Sequence, residues 1–222
     1  SSLAGTAQDA LANVMVVQNV YERLVWYDGP GTQPIPWLAT GWEVKDGGRR
    51  YVFKLRKGIK FQDGGELDAA AVKFSFDRAV LLDDPGGIGS FFPTGTAAPG
   101  ILKGAWEFSK SFGAGKDYSQ AAVDRYMAAG AVKVIDPLTV EFNLAQPYGA
   151  FLSDIATFMG SIVSPTYVTA HWTKPTDPTR GSIPGVTAGQ RDDWMLYHAS
   201  GTGPYTLETF DKATANVVLK AS

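Results

Sequence analysis

The sequence predicts an α/β domain, and three observations carry that prediction. Two stretches alternate apolar and polar residues across tight turns, segments between and around them place apolar residues at helical spacing, and the chain is apolar enough for a large core. With 222 residues, 45% of them hydrophobic, it can bury one large domain or two small ones. Twenty Lys and Arg against 22 Asp and Glu leave a net charge of -2, which argues against a nucleic-acid footprint and against a polybasic membrane anchor. No run approaches the ~18 apolar residues of a membrane span. The chain has no cysteine, so disulfides and thiolate metal sites are excluded.

Taken in order, residues 9–27 set Val14, Val17, Tyr21 and Leu24 at helical spacing, with Asp28-Gly29-Pro30-Gly31 as a stop. Trp42 and Val44 alternate with Glu43 and Lys45, the turn Asp46-Gly47-Gly48 follows, and Tyr51, Phe53 and Leu55 alternate with Val52, Lys54 and Arg56. That is a hairpin with one buried face. After Asp63-Gly64-Gly65, Asp68 can cap a helix whose stripe is Val72, Phe76, Ala79 and Val80. Residues 83–104 are too rich in Gly, Pro, Thr and Ala for a regular element, and helical character returns over 118–129. Val132 and Val134, the Asp136-Pro137 turn, and Val140, Phe142 and Leu144 make a second hairpin. From Pro147 the chain reads as a helix, then a short strand Ser161-Ile162-Val163, then a polar surface loop over 174–191, and it closes on a strand over 215–220.

Few residues suggest bond chemistry. Asp84-Pro85-Gly86-Gly87-Ile88-Gly89 lacks the Lys-Ser/Thr of a phosphate loop and follows a predicted helix. Asp63, Glu66 and Asp68 are acidic neighbours that could pair as acid and base, but turn and cap chemistry accounts for Asp63 and Asp68, and solvent exposure for Glu66. His171 and His198 are the only histidines and have no carboxylate at ligand spacing, so no metal is expected. Ser153, Ser161 and Ser164 have no recognisable base nearby, and no nucleophile signature occurs. The sequence gives no support for an enzyme and calls for no cofactor.

Segments of the chain resemble, in order, the patterns of one family. Asn19-Val20-Tyr21-Glu22-Arg23-Leu24 looks like "NVYExL", Leu38-Ala39 to Trp42 like "LAxxW", and residues 51–64 like "YxFKLRKGxKFxDG". Residues 69–78 look like "AxxVxFSxxR", 140–147 like "VxFxLxxPY", and Gly201-Thr202-Gly203-Pro204-Tyr205 is the "GTGPY" segment. Together they resemble extracytoplasmic solute-binding proteins of ABC importers, family 5, the oligopeptide, dipeptide and nickel-binding type. The resemblance implies a lobe of the periplasmic-binding-protein-like class II fold, large peptide-binding type, with a mixed sheet and an inserted α+β subdomain. Residues 1–37 and 144–222 would form the ligand-binding lobe and 38–143 the subdomain. Relatives are more than twice as long, which implies an N-terminal lobe without its second lobe and an exposed apolar face where that lobe docks.

The same resemblance implies that the protein binds an oligopeptide-like solute between two lobes and delivers it to the transmembrane subunits of an ABC permease. It places the protein in the periplasm or elsewhere outside the cytoplasm, behind a signal peptide that in many relatives carries a lipid-anchor cysteine. Two ligand walls carry over by position: Asp9, Ala10, Asn13 and Val14 just before the "NVYExL" helix, and Thr157, Phe158, Met159 and Gly160 before "VSP". Phe158 and Met159 offer an adaptable apolar surface, with plain core packing as the competing explanation. Phe91-Phe92 is a weaker candidate for the cleft. Gly201, Gly203, Pro204 and Tyr205 would approach the interlobe hinge, glycines of unusual φ combining with a φ-locking proline, or would form an ordinary turn. Peptides are the default solute, with nickel chelates, oligosaccharides and opines as other family cargoes. Two further readings stay open: a sensory or chaperone-like interaction module on the same fold, and a hydrolase working through Asp63 or Glu66.

Overall fold

The structure is a computed structural model and describes residues 7–27, 29, 31, 33–82, 101–105, 117–172, 179–190, 194–195, 197–211, 214 and 216–222. The glycine-rich segment 84–89 and Phe91-Phe92 lie outside the described residues.

The main sheet has four strands, β3 (Ala39–Lys45), β4 (Arg50–Leu55), β5 (Val132–Asp136) and β6 (Thr139–Asn143), in the order β3-β4-β6-β5. Both predicted hairpins are present. Phe53 faces Trp42 on one side and Val140 on the other, and Tyr51 faces Phe142. Tyr51, Phe53 and Leu55 are buried while Lys54 is exposed, the period of two that a one-sided sheet requires. Every described strand pair is antiparallel, in contrast to the mixed sheet implied by the resemblance. The tight turns joining β3 to β4 and β5 to β6 permit only that pairing. Val44 and Val134, expected on the buried face, are 52% and 44% exposed. Val44 sits at the hairpin tip, and Val134 lies on edge strand β5 beside a register shift.

Helix α2 (Ala69–Leu82) packs on β5 and β6. Asp68 caps it as expected, its Oδ1 accepting the Ala71 N–H at 2.8 Å. Val72, Phe76 and Val80 are buried beneath it. Phe142 is the centre of this core: Phe76 lies at 4.7 Å, Phe151 at 5.5 Å and Phe53 at 5.6 Å between ring centroids. Helix α3 (Gln120–Ala129) starts at the Ser119 cap and ends at Gly130, which adopts φ 66. Asp77 of α2 ties the two helices together. Its carboxylate accepts from Tyr126 Oη at 3.0 Å and from Lys73 Nζ at 2.5 Å. Burial pushes Asp77 above the usual carboxylate range, against the opposing pull of Lys73 and Tyr126.

Three expectations are corrected. Helix α1 (Ala7–Val20) ends well before Tyr27, and Val25–Trp26 becomes β1, paired with β2 (Ile35–Pro36). Ser161-Ile162-Val163 is extended but joins no ladder; the Ile162 N–H goes to Glu22 O and the Val163 N–H to Ser75 Oγ. Within the polar stretch 174–191, β7 (Ser182–Ile183) and β8 (Val186–Thr187) form a hairpin. Val186 and Ala188 are fully buried, and the Gly189 N–H reaches Leu81 O at 2.8 Å. Composition marks this stretch as surface, yet it closes the end of α2.

Candidate functional site

Four segments far apart in sequence meet at the C-terminal end of α1. The last turn of the helix closes on Tyr21 N–H to Val17 O at 3.0 Å. Val20 O then accepts the Gly203 N–H at 2.9 Å, and Glu22 O accepts the Ile162 N–H at 3.0 Å. Neighbouring chains thus fill acceptor positions that a longer helix would use internally, which explains where α1 stops.

Gln62 joins the same junction. Its backbone N–H donates to Gly201 O at 2.9 Å. Its side chain accepts from the Gly201 N–H at 3.2 Å and donates to Tyr205 O at 2.7 Å and Gly203 O at 3.3 Å. Asp63 receives Ser164 Oγ at 2.7 Å, while its own N–H donates to Ser200 Oγ at 3.3 Å. Ser164 also caps α5 (Pro165–His171) through the Tyr167 N–H. Asp63 is therefore a bridge between turns, Asp68 is a helix cap, and Glu66 sits in an isolated bridge with Lys60.

The glycines of the junction have a different purpose from the one expected. Gly201 and Gly203 do not have positive φ. They are required by proximity: a Cβ on Gly201 would lie 2.0 Å from Val20 O, and one on Gly203 would lie 2.5 Å from Asn19 O. Pro204 and Tyr205 lead directly into β9 (Tyr205–Phe210), which pairs with β10 (Val217–Ala221) as a two-stranded ribbon. Tyr205 and Val218 are exposed on it, at 40% and 46%.

The segments of the two expected ligand walls belong to elements that touch each other. The backbone of Asp9, Ala10, Asn13 and Val14 lies within α1 itself, not before it, and the 3₁₀ turn Phe158–Gly160 packs beside α1. The side chains of Asp9, Ala10 and Asn13 lie outside the described residues. Val14 is half-buried, and Met15 is 65% exposed. Helix α4 (Phe151–Ile155) delivers the turn. Thr157 Oγ1 donates to Asp154 O at 2.6 Å and accepts the Met159 N–H at 3.3 Å, and Ser161 Oγ donates to Phe158 O at 2.7 Å. Phe158 and Met159 are half-buried. Gly160 is buried where a Cβ would lie 1.9 Å from Ile155 O, so its smallness serves the tight turn. Asp154 receives Tyr148 Oη at 2.8 Å; burial raises its proton affinity, with the Tyr148 hydrogen bond opposing.

The histidines are held by stacking. Trp194 lies between His171 and His198, with centroids at 4.7 Å and 3.7 Å and rings within 6° of parallel. Each Nδ1 faces a backbone carbonyl, of Tyr167 and Trp194 respectively. Among the described residues, no group of three or more potential ligands gathers as a metal site. Sequence reading missed Gln62 and Arg23. Gln62 sits in the Phe61-Gln62-Asp63-Gly64 segment, where nothing in the chain marks it as the junction's pin. Arg23 carries a signal that could have been used, a cation directly before Leu24 in a segment whose Val20, Tyr21, Leu24 and Val25 are all buried, and it is itself buried.

The profile of the bacterial extracellular solute-binding proteins, family 5 Middle, matches residues 33–222. The dipeptide-binding protein of Escherichia coli K12 is 30% identical over 215 residues, which is 94% of this chain and 32% of that protein. The glutathione-binding protein GsiB of Salmonella paratyphi A is 30% identical over 185 residues, covering 83% of this chain and 26% of that one. This chain thus spans about a quarter to a third of the length of these relatives. Among solved structures, the peptide-binding pheromone receptor PrgZ superposes with a TM-score of 0.67 at 19% identity, over 100% of this chain and 37% of that one. That match shows the periplasmic-binding-protein-like fold, and the two sequence relatives are binding proteins, not enzymes. On the breadth of the profile match, the chain belongs to the bacterial extracellular solute-binding proteins of family 5.

Proposed function

We propose that this chain is one lobe of a receptor that binds a peptide-like solute and hands it to the permease of an ABC importer outside the cytoplasm. The observation that carries the reading is the junction: α1, the Phe158–Gly160 turn and the start of the β9–β10 ribbon are tied together at one end of α1. A second lobe connected through the ribbon would close over α1 and the turn. Val14, Phe158 and Met159 then line the solute, with Asp9 and Asn13 on the same helix, while Gly160 shapes the turn. Met15, Tyr205 and Val218 expose apolar surface on α1 and the ribbon, as a partner lobe requires.

In this reading residues 38–143 form the subdomain that braces the lobe, and residues 1–37 and 144–222 carry the site. The hinge begins beyond Tyr205, because Gly201 to Tyr205 are held against α1 and Gln62. Among the described residues, no helix is long and apolar enough to cross a membrane. In this reading the protein meets the membrane through the permease or through an anchor elsewhere in the protein. Peptides are favoured because backbone hydrogen bonding tolerates varied side chains, and a Met beside an aromatic residue adapts to irregular shapes.

Calorimetric titration of the full-length protein with defined di- to pentapeptides tests the proposal. Saturable binding is expected, weakened about 3- to 10-fold by Met159→Ala through lost apolar contact. Absence of heat with every peptide, alongside binding of a sugar or metal chelate, would replace the solute class.

A further inference from the structure

Arg23 is the largest fully buried side chain among the described residues, with 1% of its surface exposed. Its guanidinium lies 4.3 Å above the Trp26 ring. Its backbone carbonyl receives the Leu38 N–H at 3.1 Å, which fixes it under the start of β3. The neighbouring carboxylate, Glu22, is engaged elsewhere, accepting Trp37 Nε1 at 2.7 Å. Among the described residues, no acceptor reaches Arg23 Nε or Nη2, although both atoms are buried.

This is an incomplete arrangement. A guanidinium stays charged near neutral pH, and burying its donors without acceptors is costly. Desolvation lowers the Arg23 pKa to about 10, only partly offset by the negative charge of Glu22. Cation–π contact with Trp26 stabilises the charge but leaves the donors in the guanidinium plane unmet. The two unmet donors are also a matched pair. Nε–H and the adjacent Nη2–H lie on one edge of the planar group and point in parallel, the fork that engages both oxygens of a carboxylate. A lone chloride or carbonyl would offer a single acceptor atom to both donors, where a carboxylate gives each its own oxygen, and a phosphate dianion would bring a second charge to a desolvated site.

We propose that the Nε–Nη2 edge of Arg23, above Trp26, is a receptor for a carboxylate. That carboxylate belongs either to an acidic side chain elsewhere in the full-length protein or to a solute. The second of these sources rests on the proposed binding function; the first does not.

The test starts with this chain, titrated with sodium acetate against sodium chloride and sodium phosphate at matched ionic strength, following Tm and tryptophan emission. Acetate is expected to raise Tm saturably and shift the emission of Trp26, with chloride and phosphate ineffective. Arg23→Met should abolish the acetate response. Arg23→Lys, which keeps the charge but loses the fork, should reduce it at least about tenfold in apparent affinity. The full-length protein then separates the sources. With an internal carboxylate, its Tm ignores acetate and Arg23→Met lowers it more than in the shorter chain. With a solute carboxylate, acetate still acts, and Arg23→Lys weakens binding of an acidic solute by a similar factor. The proposal is overturned if acetate acts no differently from chloride on this chain, or if its effect there survives Arg23→Met.

Discussion

Around Phe142 the rings of Phe53, Phe76 and Phe151 approach face and edge, with no polar atom needed. Around Gly201 the chain approaches backbone to backbone, with Val20 O, Gln62 and Gly203 as partners. The first region is held by volume, so it tolerates exchange of one apolar side chain for another of similar size. The second is held by the absence of volume and by directional hydrogen bonds, so it tolerates almost nothing added. The chain combines a core that resists unfolding with a junction that fixes where the β9–β10 ribbon leaves the body.

Emptying the core should have the largest effect. Phe142→Ala removes the ring that joins β4, β6, α2 and α4, and should cost about 3–5 kcal/mol in urea unfolding. A cost near 1 kcal/mol would mean that the sheet and helices are held by something other than this cluster. Filling the junction should come next. Gly201→Ala places a methyl group against Val20 O and should cost on the order of 2–3 kcal/mol. Gly149→Ala meets open space at ordinary φ and should stay within about 0.5 kcal/mol. Equal costs at the two glycines would show that the junction yields, and the comparison between regions would fail.

The smallest expected effect concerns Asp77, a carboxylate buried beside the apolar cluster. Its folded-state pKa is raised above the unfolded value, chiefly by burial. The folded protein therefore binds the proton more tightly than the unfolded chain. That contribution to stability is fully present below the unfolded value of about 3.9 and is lost as pH rises through the folded value. Stability of the parent minus that of Asp77→Asn, measured by denaturant melts at successive pH values, should fall across this window. A difference that grows with pH would mean that Lys73 and Tyr126 outweigh burial.

Both hairpins and the Asp68 cap were legible in the sequence because each depends on neighbours a few residues away: alternation, a glycine turn, an oxygen next to free N–H groups. The termination of α1 was not. Tyr21 and Leu24 continue the helical spacing, but the acceptors at Val20 and Glu22 are taken by Gly203 and Ile162, partners some 140 to 180 residues away. The GTGPY glycines were visible as a motif, while the reason for them, the Val20 carbonyl, exists only in three dimensions. The hairpin at Ser182–Thr187 was hidden for a related reason. Two residues per strand leave no periodicity to read, and the burial of Val186 comes from α2. For the ligand walls, the resemblance pointed to two segments, and the structure sets the Phe158–Gly160 turn beside α1.

In the proposed function the body stays fixed up to Tyr205 while a second lobe moves on the ribbon beyond it. Small-angle scattering of the full-length protein with and without a saturating peptide measures that motion directly. A smaller radius of gyration with peptide, preserved in Gly149→Ala, is the predicted result. An unchanged radius at saturation would contradict closure of two lobes over α1 and the Phe158–Gly160 turn.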